Sequence, residues 1–291
     1  MFQFKTFKPN IKLQKWVKSY WFVDYNETLD VIEKEKIILP YDNVCLLMII
    51  DIQKNISYSD ITLKKGIYVC PPTLNRHNLN LESNIYYVDI SLYPGVFYKL
   101  FGIPVCELED RVYEIKELSL NFDVSIIDLL FELKGSNLSS LNTLDEYLFK
   151  IFQNMQEDSL LSNLYELTKN PNLENFYNQN RLSIRQIQRK VKDFTGLAPK
   201  SIERVNRFYN TLKLIKSNEN NINFKNIIFE NNFYDQSSFI KEFKFFSGTT
   251  PSLFILNCEN FLQYKCTIFW GSTKYNITTI TLPNFIIYSI Q

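Results

Sequence analysis

Arg185, Gln188 and Arg189 stand within about one helical turn of one another in the stretch LSIRQIQRKVKDFTGLAPK, residues 182–200. Arginine pairs bidentately with the guanine edge and glutamine with the adenine edge in the DNA major groove, so these three types on one exposed face could read base sequence. The surrounding residues specify the helix that face requires. Ser183 is an N-cap and Gln186, three residues on, completes a capping box. Ile187, Val191 and Phe194 fall on the opposite face, Gly196 supplies a left-handed end, and Pro199 suits the first turn of a following helix. Lys192 and Lys200 sit where phosphates would pass. Upstream, Leu173 and Phe176 predict a short bracing helix.

A second unit of the same kind occupies residues 226–254, NIIFENNFYDQSSFIKEFKFFSGTTPSLF. Asp235 caps a helix with Phe239, Phe243 and Phe246 inward and Gln236, Ser237, Lys241 and Lys244 outward; Gly248 ends it and Pro251 opens another. Between the two units, residues 199–217 read as one long helix with Ile202, Val205, Phe208, Leu212 and Ile215 as its apolar stripe.

The two stretches and the linker between them resemble the paired helix-turn-helix domain of AraC-type transcription factors, over about 85 residues, 172–256. The resemblance implies that two reading helices enter successive faces of the major groove of one double-stranded DNA site. Carried over by position, the first offers Arg185, Gln188 and Arg189, and the second Gln236, Ser237, Ser238 and Lys241. Lys192, Lys200 and Lys244 are assigned to phosphates. The chain departs from the family in having Tyr177 and Ile228 where small residues are usual, and Asn232 where Gly is common. Asn tolerates the left-handed conformation better than most residues. Further forward, Pro40-Tyr41-Asp42, GIYVCPPT and VDISLYPGVFYKLFGIPVCELEDRVYEI resemble a domain of unassigned function at the front of some AraC-type regulators, most specifically over residues 93–104. That implies a sensor or dimerisation domain. The implied partners are double-stranded DNA, RNA polymerase, a small-molecule effector and a second copy of the chain; no cofactor is implied.

The rest of the chain must position these helices. Its formal net charge of +1 conceals an asymmetry: residues 172–256 carry 13 Lys/Arg against 7 Asp/Glu, and residues 1–171 carry 17 against 23. A basic segment beside an acidic one suits a polyanionic partner. The first hundred residues read as strands at 16–24, 44–52, 56–63, 66–70 and 85–92, separated by turns such as Pro71-Pro72. Helical spacing follows at 96–102, 123–134, 141–156 and 158–169. The expected architecture is α+β: a β-rich, barrel-like domain with trailing helices over residues 1–170, an all-α double helix-turn-helix domain over 171–256 with about seven short helices beyond the boundary, and an extension over 257–291. In the extension CTIFW, YNITTITL and FIIYSI look like strands of no settled role. The amphipathic segments 123–134 and 141–156 could pair with a second subunit.

Several chemistries are weighed against this reading. His77 is the one histidine, too few for a metal site of the usual donors. Arg76 and His77 could meet an anionic effector or form a surface loop. The aromatics Trp16, Tyr20, Trp21, Tyr87, Tyr93 and Phe97 could line an effector pocket or be core. Cys45, Cys70, Cys106, Cys258 and Cys266 are odd in number and form no CxxC pair, which fits reduced thiols of a cytoplasm and not a disulfide framework. The start MFQFKTFKPN has no apolar h-region, and the longest apolar stretch, 44–50, is too short for a bilayer. A bacterial, cytoplasmic, non-enzymatic regulator is expected. The alternative is a small-molecule-processing enzyme or alkyl acceptor fused to a DNA-binding module, which bound zinc in the purified protein would favour.

The basic segment predicts duplex-DNA affinity that falls steeply between low and moderate salt, because each phosphate contact releases counterions. Filter binding across a salt series checks this, and a flat response contradicts it.

Overall fold

The computed structural model describes residues 2–25, 35–53, 56–59, 61–80, 84–156, 158–217, 222–257 and 280–281. The strands in chain order are β1 (Phe2–Phe7), β2 (Val17–Tyr25), β3 (Glu35–Ile38), β4 (Cys45–Ile52), β5 (Ile56–Tyr58), β6 (Ile61–Leu63), β7 (Gly66–Cys70), β8 (His77–Asn80), β9 (Ile85–Leu92), β10 (Tyr113–Glu114) and β11 (Ile280–Thr281). Seven form an antiparallel sheet in the order β10-β7-β4-β9-β2-β1-β11, and four form a second in the order β3-β8-β5-β6. The helices are α1 (Val96–Phe101), α2 (Ser125–Glu132), α3 (Asn137–Phe152), α4 (Ser159–Lys169), α5 (Leu173–Asn178), α6 (Ile184–Thr195), α7 (Pro199–Ser217), α8 (Phe224–Glu230), α9 (Gln236–Ser247) and α10 (Pro251–Leu256). The chain is thus α+β, β-rich first and helical after.

The central strands of the larger sheet are buried on both faces, which is why β4 reads as an almost unbroken apolar run. Val44, Leu46, Met48 and Ile50 point towards the helices, in one cluster with Phe97, Ile126, Leu130, Leu144, Leu148 and Phe152. Cys45, Leu47 and Ile49 point the other way and pack with Ile56, Tyr58, Leu63 and Leu79 of the smaller sheet. The two sheets therefore enclose an interior of their own, the barrel-like space expected from the strand spacing.

Four strands, β1, β3, β8 and β10, exceed the sequence expectation. β3, β8 and the two-residue β10 carry no clear apolar alternation and are held by their neighbours, as in the register Glu35↔Asn80 to Ile38↔His77, whereas β1, FQFKTF, alternates from Phe2 to Lys5 and was passed over. His77 is accordingly in a strand and not in a loop. The expected single strand at 56–63 is a hairpin, β5 and β6, turned at Ser59 with φ 50°. Beyond the expected boundary six helices, not about seven, occur among the described residues. Of the expected tail strands, CTIFW and FIIYSI lie outside the described residues; Ile280 and Thr281 of YNITTITL pair with Phe4 and Gln3 of β1.

The last helices form two apolar clusters that share α7. Leu160, Leu164 and Leu167 of α4 join Phe176, Ile187, Val191, Phe194 and Ile202 in one. Val205, Phe208, Leu212, Ile215, Ile227, Phe239, Phe243, Phe246 and Phe254 form the other. Phe243 contacts three rings, with centroids 5.2 Å from Phe208, 5.9 Å from Phe239 and 5.3 Å from Phe254. Phe243→Ala is expected to cost about 3–5 kcal/mol, the usual loss for emptying a buried aromatic site. Urea denaturation checks it; a loss below about 1 kcal/mol would mean that the site collapses or is not packed as described.

Candidate nucleic-acid interface and barrel cavity

Helix α6 begins at the expected cap. The Gln186 backbone N–H donates to Ser183 Oγ at 3.4 Å, and the Ser183 N–H donates to Gln186 Oε1 at 3.0 Å. It ends at Gly196, whose φ is 74°. Ile187, Val191 and Phe194 are buried, while Arg185, Gln188, Arg189, Lys192 and, beyond the helix, Lys200 are exposed. The sequence-predicted residues of the first unit thus lie together on an open helix face. Gln188 reaches Tyr177 Oη of α5 at 3.4 Å, so the bulky residue of α5 supports that face from the side.

Helix α9 repeats the design. The Ser238 N–H donates to Asp235 Oδ1 at 2.7 Å, and the Asp235 N–H donates to Ser238 Oγ at 3.1 Å. Gln236, Ser237, Lys241 and Lys244 are exposed, whereas Ser238 is only half-exposed and its hydroxyl is engaged in the cap. Asn232 takes φ 55°, the left-handed turn its position requires. The two units are tied by ion pairs from α7: Arg204 Nε and Arg207 Nη2 lie 2.7 and 2.8 Å from the carboxylate of Glu242 on α9. This clamp and Tyr234, 96% exposed beside the α9 cap, were not singled out from sequence. A lone Glu on a basic face is the signal that marks Glu242.

The barrel interior holds a cavity of about 100 Å³. Trp21, Tyr41, Tyr58 and Tyr87 are among its walls, as are Asp89 and Ser91 of β9. Of the aromatic set named from sequence, Trp21 and Tyr87 face this space. Trp16, Tyr20 and Phe97 belong to the helix-covered core, and Tyr93 packs on Tyr165 with ring centroids 4.5 Å apart. At one end the cavity meets Lys18, Asp42 and Asn43, and Tyr209 of α7 completes the wall. There Asn206 Nδ2 of α7 donates to Asp42 Oδ2 at 2.6 Å, and Lys18 Nζ lies 3.7 Å from Asp42 Oδ1. Burial lowers the pKa of Lys18, opposed by Asp42, and burial holds that of Lys213 down to about 8.

Asp89 is the feature the sequence reading passed over. Its free surface turns into the cavity, where Ser91 Oγ donates to it at 3.3 Å and the Cys45 thiol also hydrogen bonds to it. Burial raises its pKa from the usual 3.8 to about 6. The signal was available: in IYYVDISL every other residue is apolar or weakly polar, so a carboxylate within the run must be buried on one face. Sheet register also places Cys45 directly opposite Cys70, a juxtaposition their spacing did not disclose. Both are free thiols whose pKa burial pushes well up, so they are held protonated and not as nucleophilic thiolates. His77 Nε2 lies 3.1 Å from Asp110 Oδ1, and its ring stacks on Tyr58 at 5.1 Å. Arg76 is exposed and lies across the end of α9, its guanidinium filling the place where a Cβ on Gly248 would stand. Among the described residues no group of three His, Cys, Asp or Glu could hold a metal, and no helix is long and apolar enough to cross a membrane.

Because Asp89 has a higher pKa folded than unfolded, its ionisation opposes folding. The cost is absent below about pH 4, grows as pH rises towards 6, and is fully present above that; a shift of about two units corresponds to roughly 3 kcal/mol. Asp89→Asn is therefore expected to raise the melting temperature at pH 7.5 and to change it little at pH 4. Scanning calorimetry at both values checks this, and a variant less stable at pH 7.5 than the parent contradicts it.

Residues 5–114 match the family described as a domain of unknown function, DUF6597. No curated protein matches the chain. Among solved structures, the apo form of a ToxT variant from Vibrio cholerae strain SCE256 is similar at a TM-score of 0.45 and 13% identity, over 81% of this chain and 97% of that one. ToxT from Vibrio cholerae O395 is similar at 0.44 and 15%, over 82% and 98%. Wild-type ToxT from strain SCE256 with a bound unsaturated fatty acid is similar at 0.40 and 11%, over 88% and 94%.

Proposed function

We propose that this protein is a sequence-specific DNA-binding regulator of transcription with no catalytic activity of its own, working in a bacterial cytoplasm. The carrying observation is the pair of twelve-residue helices, α6 and α9, each with a side-chain capping box at its N-terminus, a glycine at its end and an exposed polar face. Each follows a shorter helix, α5 or α8, and α7 spaces them: two helix-turn-helix units of the AraC type. In this reading Arg185, Gln188 and Arg189 read bases from the first unit, and Gln236, Ser237 and Lys241 from the second, with Ser238 contributing through the cap. Lys192, Lys200 and Lys244 hold phosphates. Helix α4 goes with the DNA-binding unit, whose apolar cluster it shares. The barrel cavity receives a small-molecule effector, and α2 and α3, with Leu129, Phe131, Leu138 and Phe149 exposed, form the contact with a second copy. RNA polymerase is the expected downstream partner.

The decisive experiment separates base reading from phosphate holding. Arg189 lies less than two turns past the Ser183 cap, where a guanidinium can make two parallel bonds to a guanine edge, worth about 1–3 kcal/mol of discrimination. Lys244 lies in the last turn of α9, away from the end that meets bases. Arg189→Ala is expected to bring cognate and single-base-variant sites about tenfold closer in affinity, while Lys244→Ala weakens all sites alike. Binding is measured on a panel of variant duplexes. If Arg189→Ala preserves the wild-type ranking and spacing, the base-reading assignment is wrong.

A further inference from the structure

The inside of the barrel carries a carboxylate that no basic side chain among the described residues meets. Ile85, Tyr87, Asp89 and Ser91 alternate inward along β9, and all four line the cavity. Asp89 stands opposite Leu47 and Trp21 in the neighbouring strands, one inward position, about 7 Å, deeper than Ser91. Its partners are a hydroxyl and a thiol; no Lys or Arg among the described residues is paired with it. The walls around it are apolar or aromatic: Leu47, Ile49, Leu79, and the rings of Trp21, Tyr58 and Tyr87. The Tyr41 and Tyr58 hydroxyls face one another, and burial raises the pKa of both. A carboxylate in such a space costs several kcal/mol unless a cation joins it, and aromatic faces attract cations in their own right.

We propose that the barrel cavity binds a small organic cation, an alkylammonium with a compact apolar body, whose charged nitrogen sits on Asp89 and against the faces of Trp21, Tyr58 and Tyr87. This rests on the reading of the cavity as an effector site and names the class of effector. The size of the space sets the body: a cavity of about 150 Å³ holds benzene, so one of about 100 Å³ takes about four to six non-hydrogen atoms. The other charges near the site are Lys18 and Asp42, at the end of the cavity that α7 covers, and Lys36 of β3, which is 7% exposed and stands opposite Leu79 on the face that Ile38 turns inward. Lys18 is paired there with Asp42, which also accepts from Asn206, and Lys213 lies close enough to Lys18 to feel its charge. The cation is held by the interior carboxylate, with Ser91 and Cys45 positioning the carboxylate oxygens.

Calorimetric titration of the full-length protein, without DNA, with n-butylammonium, 1-butanol and butanoate tests this. The three probes share an apolar body and differ in charge. n-Butylammonium is expected to bind at least tenfold more tightly than either other probe and to raise the melting temperature. Asp89→Asn is expected to lose at least tenfold of the ammonium affinity while keeping that for 1-butanol. Equal or tighter binding of butanoate overturns the proposal and moves recognition to the buried lysines, Lys18 and Lys36. Equal binding of 1-butanol overturns it by showing that charge is not read, and so does the absence of saturable ammonium binding. The order of the three probes on the unaltered protein decides even if Asp89→Asn does not fold. Because no DNA is present, a failure here leaves the DNA-binding reading standing. Ammonium binding by a protein that ignores DNA would overturn that reading and not this one.

Discussion

The contact between Asp42 and Asn206 joins the two halves of this molecule. Asp42 lies at the end of the cavity that α7 covers, and Asn206 is on the buried side of α7, the helix on which both later clusters are built. A buried carboxylate is tolerated only when its lone pairs are met. Here Asn206 donates at 2.6 Å and Lys18 stands 3.7 Å away. Removing either partner leaves a polar group stranded where water cannot readily replace it. The orientation of α7, and with it of α6 and α9, thus depends on a polar arrangement at the rim of the β-rich half. Apolar contacts reinforce it: Leu39 enters the cluster around Phe208 and Phe243, and Tyr98 of α1 stacks on Phe194 of α6 with centroids 4.4 Å apart.

Much of the helical half was legible because each of its elements is determined locally. Ser183 with Gln186, Asp235, Gly196 and Gly248 act within a single turn, and the stripes through Ile187, Val191 and Phe194 and through Phe239, Phe243 and Phe246 repeat at the helical period. The β-rich half was legible only where strands are buried on both faces. β4 and β9 are such strands; β3 and β8 draw their stability from each other across the intervening chain, which no local pattern encodes. Within the candidate site, the exposed face of α6 follows from spacing alone, since three residues on one side of an amphipathic helix must be open to solvent. Ser238 was read as another such residue, but its position three beyond Asp235 gives it to the cap. The cavity was legible only through Trp21 and Tyr87, two of the six aromatics named as a possible pocket lining. Its walls come from both sheets and from α7, and only the register that sets Cys45 beside Cys70 and Asp89 beside Leu47 reveals the others.

The contrast between the two polar features of the barrel follows from their surroundings. Asp42 is met by an amide and an ammonium, and the pKa of Lys18 is lowered chiefly because its ammonium has been taken from water. Asp89 has only weak donors, and burial shifts it upwards. One carboxylate is satisfied by the fold and the other is not. A protein that retains an unsatisfied charge in its interior gives up stability at neutral pH, which distinguishes that position from ordinary core.

Tyr209 belongs both to the wall of the cavity and to the apolar cluster beneath α9. One side chain therefore takes part in two packings, and a change in either alters the other. If occupancy of the cavity shifts the free energy of docking α9 on DNA, thermodynamic linkage requires that docked DNA shift the affinity of the occupant by the same factor. The operator would then be an effector of the sensor as much as the sensor is of the operator, and a ligand titration made with and without duplex would measure their coupling directly.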